Sequence, residues 1–221
     1  MKKILVISAH PDDESLGLGG TLALHAKNGD EVTVLIFTDG ESSRGGKQNQ
    51  ITKRETQSKK ACKILGVKKV KFLQYPDQNL ESISLVELTN KIEDVIKKWS
   101  PSIIYTHYWG DMNQDHRRLF EATKIATRPI PNSSIECVLC YETPSSTEWG
   151  KNVQAFNPNH FVNISSTLKT KLKAIKQYKN EIKEFPHPRS IEGISVRAKF
   201  WGSCTGIENA EAFIILQNLV K

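Results

Sequence analysis

The chain has 221 residues, of which 38% are hydrophobic and 25% charged, and 31 basic residues against 24 acidic ones give a formal net charge of +7. This composition is typical of a globular domain rather than a disordered chain, and no apolar stretch approaches the roughly 20 residues that cross a bilayer. The positive charge favours an anionic partner, which could be a phosphorylated small molecule, a nucleic acid or an acidic membrane surface.

Strand-like and helix-like segments alternate along the chain. Predicted strands are Lys3–Ala9, Val32–Thr38, Val70–Leu73, Ile103–Thr106 and Ile135–Tyr141. Predicted helices are Leu16–Asn28, Ile51–Leu65, Leu85–Trp99, Leu168–Ile182 and Ile191–Trp201, with a long loop at Glu142–His160 and a final strand or apolar tail at Ala212–Leu216. Repeated β-α units predict an α/β fold that is doubly wound, with a mostly parallel sheet and helices on both faces. We expect one domain over residues 1–221, because no repeat or linker divides the chain.

The amino terminus and the cysteines favour a reducing compartment. The first apolar run ends at His10-Pro11-Asp12-Asp13 and lacks the cleavage site of a secretory signal, so we expect a cytoplasmic protein. Cys137 and Cys140 form a Cys-x-x-Cys pair, which invites a zinc or redox interpretation. No second pair completes a zinc knuckle and the run predicts a strand, so we expect ordinary buried thiols.

Polar residues that could carry chemistry follow the predicted strands. His10–Glu14 follows the first strand, Asp39 the second, and the segment from His107 to His116 the fourth. Ligands bind at the carboxyl ends of the strands in such a sheet. We therefore expect these side chains to gather at one edge.

The segment after the first strand has the donors of a metal site. Histidine and carboxylate suit zinc, and His10 and Asp13 are close enough in a turn to reach one ion. His116 would supply a third ligand and leave one position for water, as catalytic zinc requires. The alternative is a solvated loop in which Asp12 or Asp13 caps the following helix.

Ala9-His10-Pro11-Asp12-Asp13-Glu14, followed by Gly19-Gly20-Thr21, resembles the opening motif of the PIG-L/LmbE-like zinc deacetylases. Further segments that resemble this family are Thr38–Glu41, Arg54-Glu55, Asp111–Arg117, Glu142–Trp149, Pro186–Ser190, Gly202 to Gly206 and Ala210–Phe213. The resemblance implies a Rossmann-like fold and hydrolysis of the acetyl group of an N-acetyl amino sugar or its conjugate. It implies a Zn2+ cofactor, although another divalent metal could occupy the same ligands.

The resemblance also implies residue roles. His10, Asp13 and His116 match the zinc ligands, and Asp12 matches the general base that takes a proton from the attacking water. Many members have a histidine where this chain has Asn113, and that histidine stabilises the oxyanion or protonates the leaving group. Asn113 can donate a hydrogen bond to the substrate but cannot carry a proton.

The missing imidazole has two candidate sources in the chain. We hypothesise that His107 or His187 supplies it, with Asp115 or Asp111 as the carboxylate that orients it. The alternative for His107 is a buried histidine at the end of a strand.

Two further residues are candidates for substrate binding. Arg54 matches a family arginine that contacts the sugar or its phosphate, and the alternative is a solvated helix residue. Trp149, in the long loop, is expected to stack on a sugar ring.

The leading hypothesis is a deacetylase for a small-molecule N-acetyl amino sugar conjugate, nucleotide-linked or lipid-linked, in glycoconjugate or polysaccharide synthesis. The alternatives are a metal hydrolase of a non-sugar amide or ester, and a basic nucleic-acid-binding module. Few aromatic residues accompany the lysines, so we expect no nucleic acid partner. Peripheral membrane contact and a homo-oligomer both remain open.

Overall fold

The computed structural model describes residues 1–150 and 154–220, and within them seven strands form one sheet. The strands are β1 (Lys3–Ser8), β2 (Glu31–Thr38), β3 (Lys69–Tyr75), β4 (Ile103–His107), β5 (Cys137–Tyr141), β6 (His160–Asn163) and β7 (Ala210–Asn218). The helices are α1 (Asp13–Lys27), α2 (Gln48–Ile64), α3 (Leu85–Trp99), α4 (Gln114–Ala126), α5 (Leu168–Ile175) and α6 (Ile191–Ser203). Short 3-10 turns lie at Ser42–Arg44, Leu80–Ser82 and Thr147–Trp149.

The strand order places a topological switch at the centre of the sheet. The order is β3-β2-β1-β4-β5-β7-β6; β1 to β5 are parallel, and β7 runs antiparallel to both β5 and β6. From β1 the chain extends in one direction through β2 and β3, and then in the other through β4 and β5. The doubly wound, mostly parallel α/β class is therefore confirmed, and the crevice between β1 and β4 is where such folds bind ligands.

The central strands are buried on both faces, as expected for a parallel sheet covered by helices. On β1, Ile4 and Val6 join a core with residues of α1, α2 and α5, whereas Leu5 and Ile7 join a core with residues of α3 and α4. Both cores draw on β1, β2, β4 and β5, and this rigid centre fixes the strand ends that carry the polar residues.

Several elements differ from the predictions. α4 and β6 were not predicted from the sequence. α5 ends at Ile175 rather than at Ile182, because tight turns at Gln177 and Tyr178 bring Tyr178 into the core. The predicted tail is β7, and the predicted loop 142–160 contains a 3-10 turn and the start of β6. Residues 151–153 of that loop lie outside the described residues.

The Cys-x-x-Cys pair lies on β5, as predicted. Cys140 is buried and Cys137 is half-buried, and both are free thiols. Neither belongs to a cluster of potential metal ligands among the described residues. In residues 1–150 and 154–220, no helix combines the length and apolar character needed to span a membrane.

Candidate metal and catalytic site

The candidate site lies at the carboxyl edge of the sheet, at the switch between β1 and β4. The turn after β1 carries His10, Asp12 and Asp13, and the first turn of α4 carries His116. All four side chains are buried. Asp12 occupies the cap position of α1 without a capping hydrogen bond from its side chain, so the solvated-loop alternative does not describe this turn.

Three potential metal-donor atoms, two from this turn and one from α4, lie close together. His10 Nδ1 lies 3.2 Å from Asp13 Oδ2 and 3.2 Å from His116 Nε2, and His116 Nε2 lies 3.3 Å from Asp13 Oδ2. Asp13 Oδ1 is buried and has no hydrogen-bond partner among the described residues. Two imidazole nitrogens facing one carboxylate, with an unsatisfied carboxylate oxygen beside them, form a donor set that fits a divalent cation.

The electrostatics of the cluster favour positive charge. Burial acts to lower the pKa of His10 and of His116, but the nearby Asp13 carboxylate outweighs it, and the two pKa values are raised to about 10 and about 9. A bound cation satisfies the same carboxylate and competes with these protons. The residues present therefore fit a metal in both geometry and charge.

Each imidazole is held from its other side by a carboxylate. His10 Nε2 lies 3.3 Å from Asp115 Oδ2 and 3.3 Å from Asp77 Oδ1. His116 Nδ1 lies 3.1 Å from Asp111 Oδ1. Such outer carboxylates fix the tautomer and the orientation of metal-binding histidines. Asp115 and Asp111 thus contact His10 and His116, and not His107 or His187 as the sequence analysis expected.

His107 lies beneath the cluster, with none of its surface exposed. Its Nε2 accepts a hydrogen bond from the Ala9 backbone N–H at 2.9 Å, and its ring stacks on His116 at a centroid distance of 3.9 Å. Burial and the neighbouring His116 imidazole lower the pKa of His107 well below its usual value. This is the buried strand-end histidine that the sequence analysis kept as an alternative.

Asp12 has a backbone conformation that is rare for residues other than glycine, with φ of 147° and ψ of −24°. Its backbone N–H donates to Glu14 Oε2 at 3.1 Å, which holds the turn. Its Oδ2 accepts hydrogen bonds from Arg54 Nη2 at 2.9 Å and Arg189 Nη1 at 3.3 Å. Burial raises the pKa of Asp12, and the two guanidinium groups oppose that effect.

The two arginines belong to a larger group that we name the arginine cluster: Asp12, Arg44, Arg54, Glu181 and Arg189. Arg54 is only 3% exposed, and its Nη1 lies 2.7 Å from Glu181 Oε1. Arg44 Nη1 lies 2.8 Å from the same oxygen, and Arg189 Nη1 lies 3.2 Å from Glu181 Oε2. Burial acts to raise the pKa of Glu181, but the guanidinium groups, led by Arg54, outweigh it and lower the pKa to about 2.

The cluster opens on a narrow cleft of about 40 Å3. The cleft is lined by His10, Asp12, Gly40, Arg44, Arg54, Asp77, Gln78, Asn113 and Arg189. Asn113 caps α4, because its Oδ1 accepts a hydrogen bond from the Asp115 N–H at 2.9 Å. The structure thus brings the predicted Arg54 and Asn113 to the same cleft as the predicted base.

Trp149 and His187 meet beside the arginine cluster. Trp149 is 56% exposed, and its ring packs edge-on against His187 at a centroid distance of 6.2 Å. His187 Nδ1 accepts a hydrogen bond from the Arg189 N–H at 3.1 Å. The turn that carries Trp149 is anchored to Asp111 by hydrogen bonds from Ser146 and Thr147, the latter at 2.6 Å.

Several residues of the cleft and of the arginine cluster have no role predicted from the sequence. Asp77 and Gln78 directly follow β3, so the strand-end rule could have found them if the third strand had been extended to Tyr75. Arg189 lies within a motif that was recognised, but no pattern distinguished it from a surface arginine. Glu181 was placed inside a predicted helix.

Comparisons with known proteins identify the family of this chain. A family model described as GlcNAc-PI de-N-acetylase (PIG-L) matches residues 5–127. The protein named uncharacterized deacetylase YaiS from Escherichia coli K12 is 35% identical over 185 residues, which cover 81% of this chain and 91% of that protein. The diacetylchitobiose deacetylase of Thermococcus kodakarensis is 28% identical over 228 residues, covering 96% of this chain and 82% of that protein. The solved N,N'-diacetylchitobiose deacetylase of Pyrococcus horikoshii, in complex with its inhibitor MPG, has a TM-score of 0.78 at 25% identity, covering 98% of this chain and 84% of that one.

Proposed function

Because this chain belongs to the PIG-L family, we propose that it is a metal-dependent deacetylase of an N-acetyl amino sugar or its conjugate. The observation that carries this proposal is the convergence of His10 Nδ1, Asp13 Oδ2 and His116 Nε2 within about 3.3 Å of one another, in the turn that also presents Asp12 to the cleft. The names of the relatives, which include deacetylases of diacetylchitobiose and of N-acetylglucosaminyl malate, support a sugar substrate.

The metal ligands in this proposal are His10, Asp13 and His116. Zn2+, or another divalent ion in its place, supplies Lewis acidity that activates water and polarises the acetyl carbonyl. Asp115 and Asp111 hold the two imidazoles in the orientation that leaves His10 Nδ1 and His116 Nε2 facing each other. The buried His107 packs against His116 and acts as a positioning residue.

Asp12 is the general base of the proposed reaction. Its carboxylate accepts a proton from water as the water oxygen attacks the acetyl carbon, and the carbonyl oxygen gains negative charge. The C–N bond then breaks, and Asp12 returns the proton to the amine nitrogen, giving a free amino sugar and acetic acid, which loses its remaining proton to solvent and becomes acetate. Arg54 and Arg189 hold the carboxylate toward the cleft while it carries out both transfers.

The remaining residues of the cleft and its surroundings are proposed to bind the sugar. Arg54 and Asn113 line the cleft and offer hydrogen-bond donors to the sugar or its phosphate. We place the rest of a conjugate beyond this cleft, toward the surface. There Trp149 offers an exposed ring for stacking, and His187 packs against that ring.

The test is acetate release from a panel of N-acetyl-hexosamine conjugates by zinc-loaded protein. Asp12→Asn should lower kcat by about 10²- to 10⁴-fold, because it removes the general base. Asp39→Asn is a matched control, since Asp39 follows β2 at the same sheet edge but accepts hydrogen bonds from the backbone N–H groups of Glu41 and Ser42. Failure to release acetate from any conjugate, or an Asp12→Asn variant within tenfold of the parent, would refute the proposal.

The ligand assignment has a separate measurement. His10→Ala and His116→Ala should each lose stoichiometric zinc by elemental analysis, because each removes one of three protein donors. Retention of one zinc per chain in both variants would show that the metal is held elsewhere.

A further inference from the structure

The proposed reaction requires a charged donor to the acetyl oxygen, and Asn113 does not supply one. The acetyl oxygen gains negative charge as water attacks, and preorganised donors near that oxygen are a large part of such catalysis. Asn113 uses its Oδ1 to cap α4 and has no charge to offer. This inference rests on the proposed function, which requires a cation that faces the cleft.

Neither candidate histidine meets this requirement in the structure. His107 has no exposed surface, and its Nε2 accepts a hydrogen bond from Ala9. The Nδ1 of His187 is engaged by the Arg189 backbone N–H, and His187 is not among the described residues that line the cleft.

Arg189 lies in the cleft with its position fixed. Its Nε donates to Ser145 Oγ at 2.6 Å, and its Nη1 lies 3.3 Å from Asp12 Oδ2 and 3.2 Å from Glu181 Oε2. Its side chain is 18% exposed, and no hydrogen bond among the described residues uses its Nη2. One nitrogen of a rigidly held guanidinium therefore remains available to a ligand beside the proposed base.

The arginine cluster carries a net positive charge, and the further carboxylate that lines the cleft, Asp77, pairs with His10. Arg44, Arg54 and Arg189 carry three positive charges, whereas Asp12 and Glu181 carry two negative ones. Arg54 is enclosed between the two carboxylates and is 3% exposed, and Arg44 contacts Glu181 rather than Asp12. Arg189 is therefore the guanidinium that is both partly exposed and in contact with the proposed base. Guanidinium binds carboxylates with particularly favourable geometry.

We propose that Arg189 is the anion-binding group of the site: it donates to the acetyl oxygen as that oxygen gains charge, and to the carboxylate of the acetate product. A guanidinium does not release its proton in a protein. Arg189 therefore replaces the charge of the imidazole that Asn113 lacks, but not its proton transfer. The single proton taken from water must travel through Asp12 to the amine nitrogen.

Acetate binding to zinc-loaded protein, measured by calorimetry, tests the proposal without turnover. Arg189→Ala should weaken acetate binding about tenfold or more, as expected for a lost hydrogen bond to a charged group, and Arg189→Lys should weaken it less. Arg128→Ala is the control for net charge, because Arg128 is exposed and pairs with the remote Glu93; its affinity for acetate should match the parent.

Variants made in an Asp12→Asn background distinguish direct contact between Arg189 and the anion from an indirect effect of Arg189 on Asp12. In an Asp12→Asn background, Arg189→Ala should still weaken acetate binding about tenfold if Arg189 touches the anion. A change of less than twofold in that background would show that Arg189 acts only by holding Asp12, and would overturn the proposal.

Turnover adds an independent arm. Arg189→Ala should lower kcat by about 10²- to 10³-fold, and added guanidinium at millimolar concentration should restore part of it, whereas imidazole should not. If the parent protein hydrolyses no N-acetyl sugar but the acetate measurements hold, the anion site stands and the reaction assignment fails. If sugars are hydrolysed but Arg189→Ala binds acetate as the parent does, the reaction stands and this inference fails.

Discussion

Glu181 contacts all three guanidinium groups of the arginine cluster, so its replacement tests how that cluster is stabilised. Glu181→Gln keeps the shape of the side chain but removes its charge. Arg54, 3% exposed, would then be left with Asp12 as its charged partner. Breaking a buried ion pair by removing one partner costs about 3–5 kcal/mol, and we expect a loss of about 3 kcal/mol because the amide oxygen can still accept a hydrogen bond.

The lowered pKa of Glu181 leads to a similar value for the loss of unfolding free energy. Its pKa falls from an ordinary value of 4.5 to about 2 in the folded chain, which corresponds to about 3 kcal/mol at 1.36 kcal/mol per pH unit. Because the folded-state pKa is depressed, this stability is fully present above pH 4.5 and is lost as the pH falls toward 2. The difference between the parent and Glu181→Gln should shrink over the same window.

Urea unfolding at several pH values between 7 and 3 measures this difference. Acidic groups outside the arginine cluster contribute equally to both proteins, so their effects cancel in the comparison, whereas Asp12 shares Arg54 and Arg189 with Glu181 and responds to its replacement. A difference in unfolding free energy below about 1 kcal/mol at pH 7, or one that stays constant as the pH is lowered, would refute the claim that the charge of Glu181 stabilises the cluster.

Two further predictions concern the packing and the metal ligands. Gly17→Ala should destabilise the fold by about 1–3 kcal/mol, because its Cβ would lie 2.4 Å from Tyr141 Cδ2. Gly19→Ala, whose Cβ would lie at the longer distance of 3.2 Å from Lys171 Cγ, should cost less in the same unfolding assay. Asp111→Asn should weaken zinc binding about 10- to 100-fold in a chelator competition, and an unchanged affinity would show that packing alone holds His116.

The central half of the fold could be predicted from local patterns. β1 and β2 are continuous apolar runs, and such runs are typical of strands buried on both faces. α4 was missed because its first turn was interpreted as a metal-binding segment, although Leu119 and Ala122 give it a buried face. β6 was missed because it has four residues, three of which are only half-buried, so its pattern is weak.

Some residues of the candidate site could likewise be predicted from the sequence, and others could not. The convergence of His10, Asp13 and His116 could be predicted because these residues follow the adjacent strands β1 and β4 in recognisable motifs. Arg189 and Glu181 could not, because they lie in irregular segments where periodicity gives no orientation, and because Arg189 contacts Asp12 across 177 positions of sequence. The partner of Asp115 was wrong for a related reason: the rotation of α4 turns its carboxylate toward His10.

The long sequence separation between His10 and His116 has a consequence for the stability of the fold and its resistance to proteases. The two residues are 106 positions apart and follow the adjacent strands β1 and β4, His116 in the first turn of α4, so a cation bound between them in the proposed site would link the two halves of the sheet. If such a cation binds the folded chain and not the unfolded one, it would add about 2.7 kcal/mol to stability at 100 times its dissociation constant. Resistance to proteases should therefore rise and fall with the supply of metal, whether or not any substrate is present.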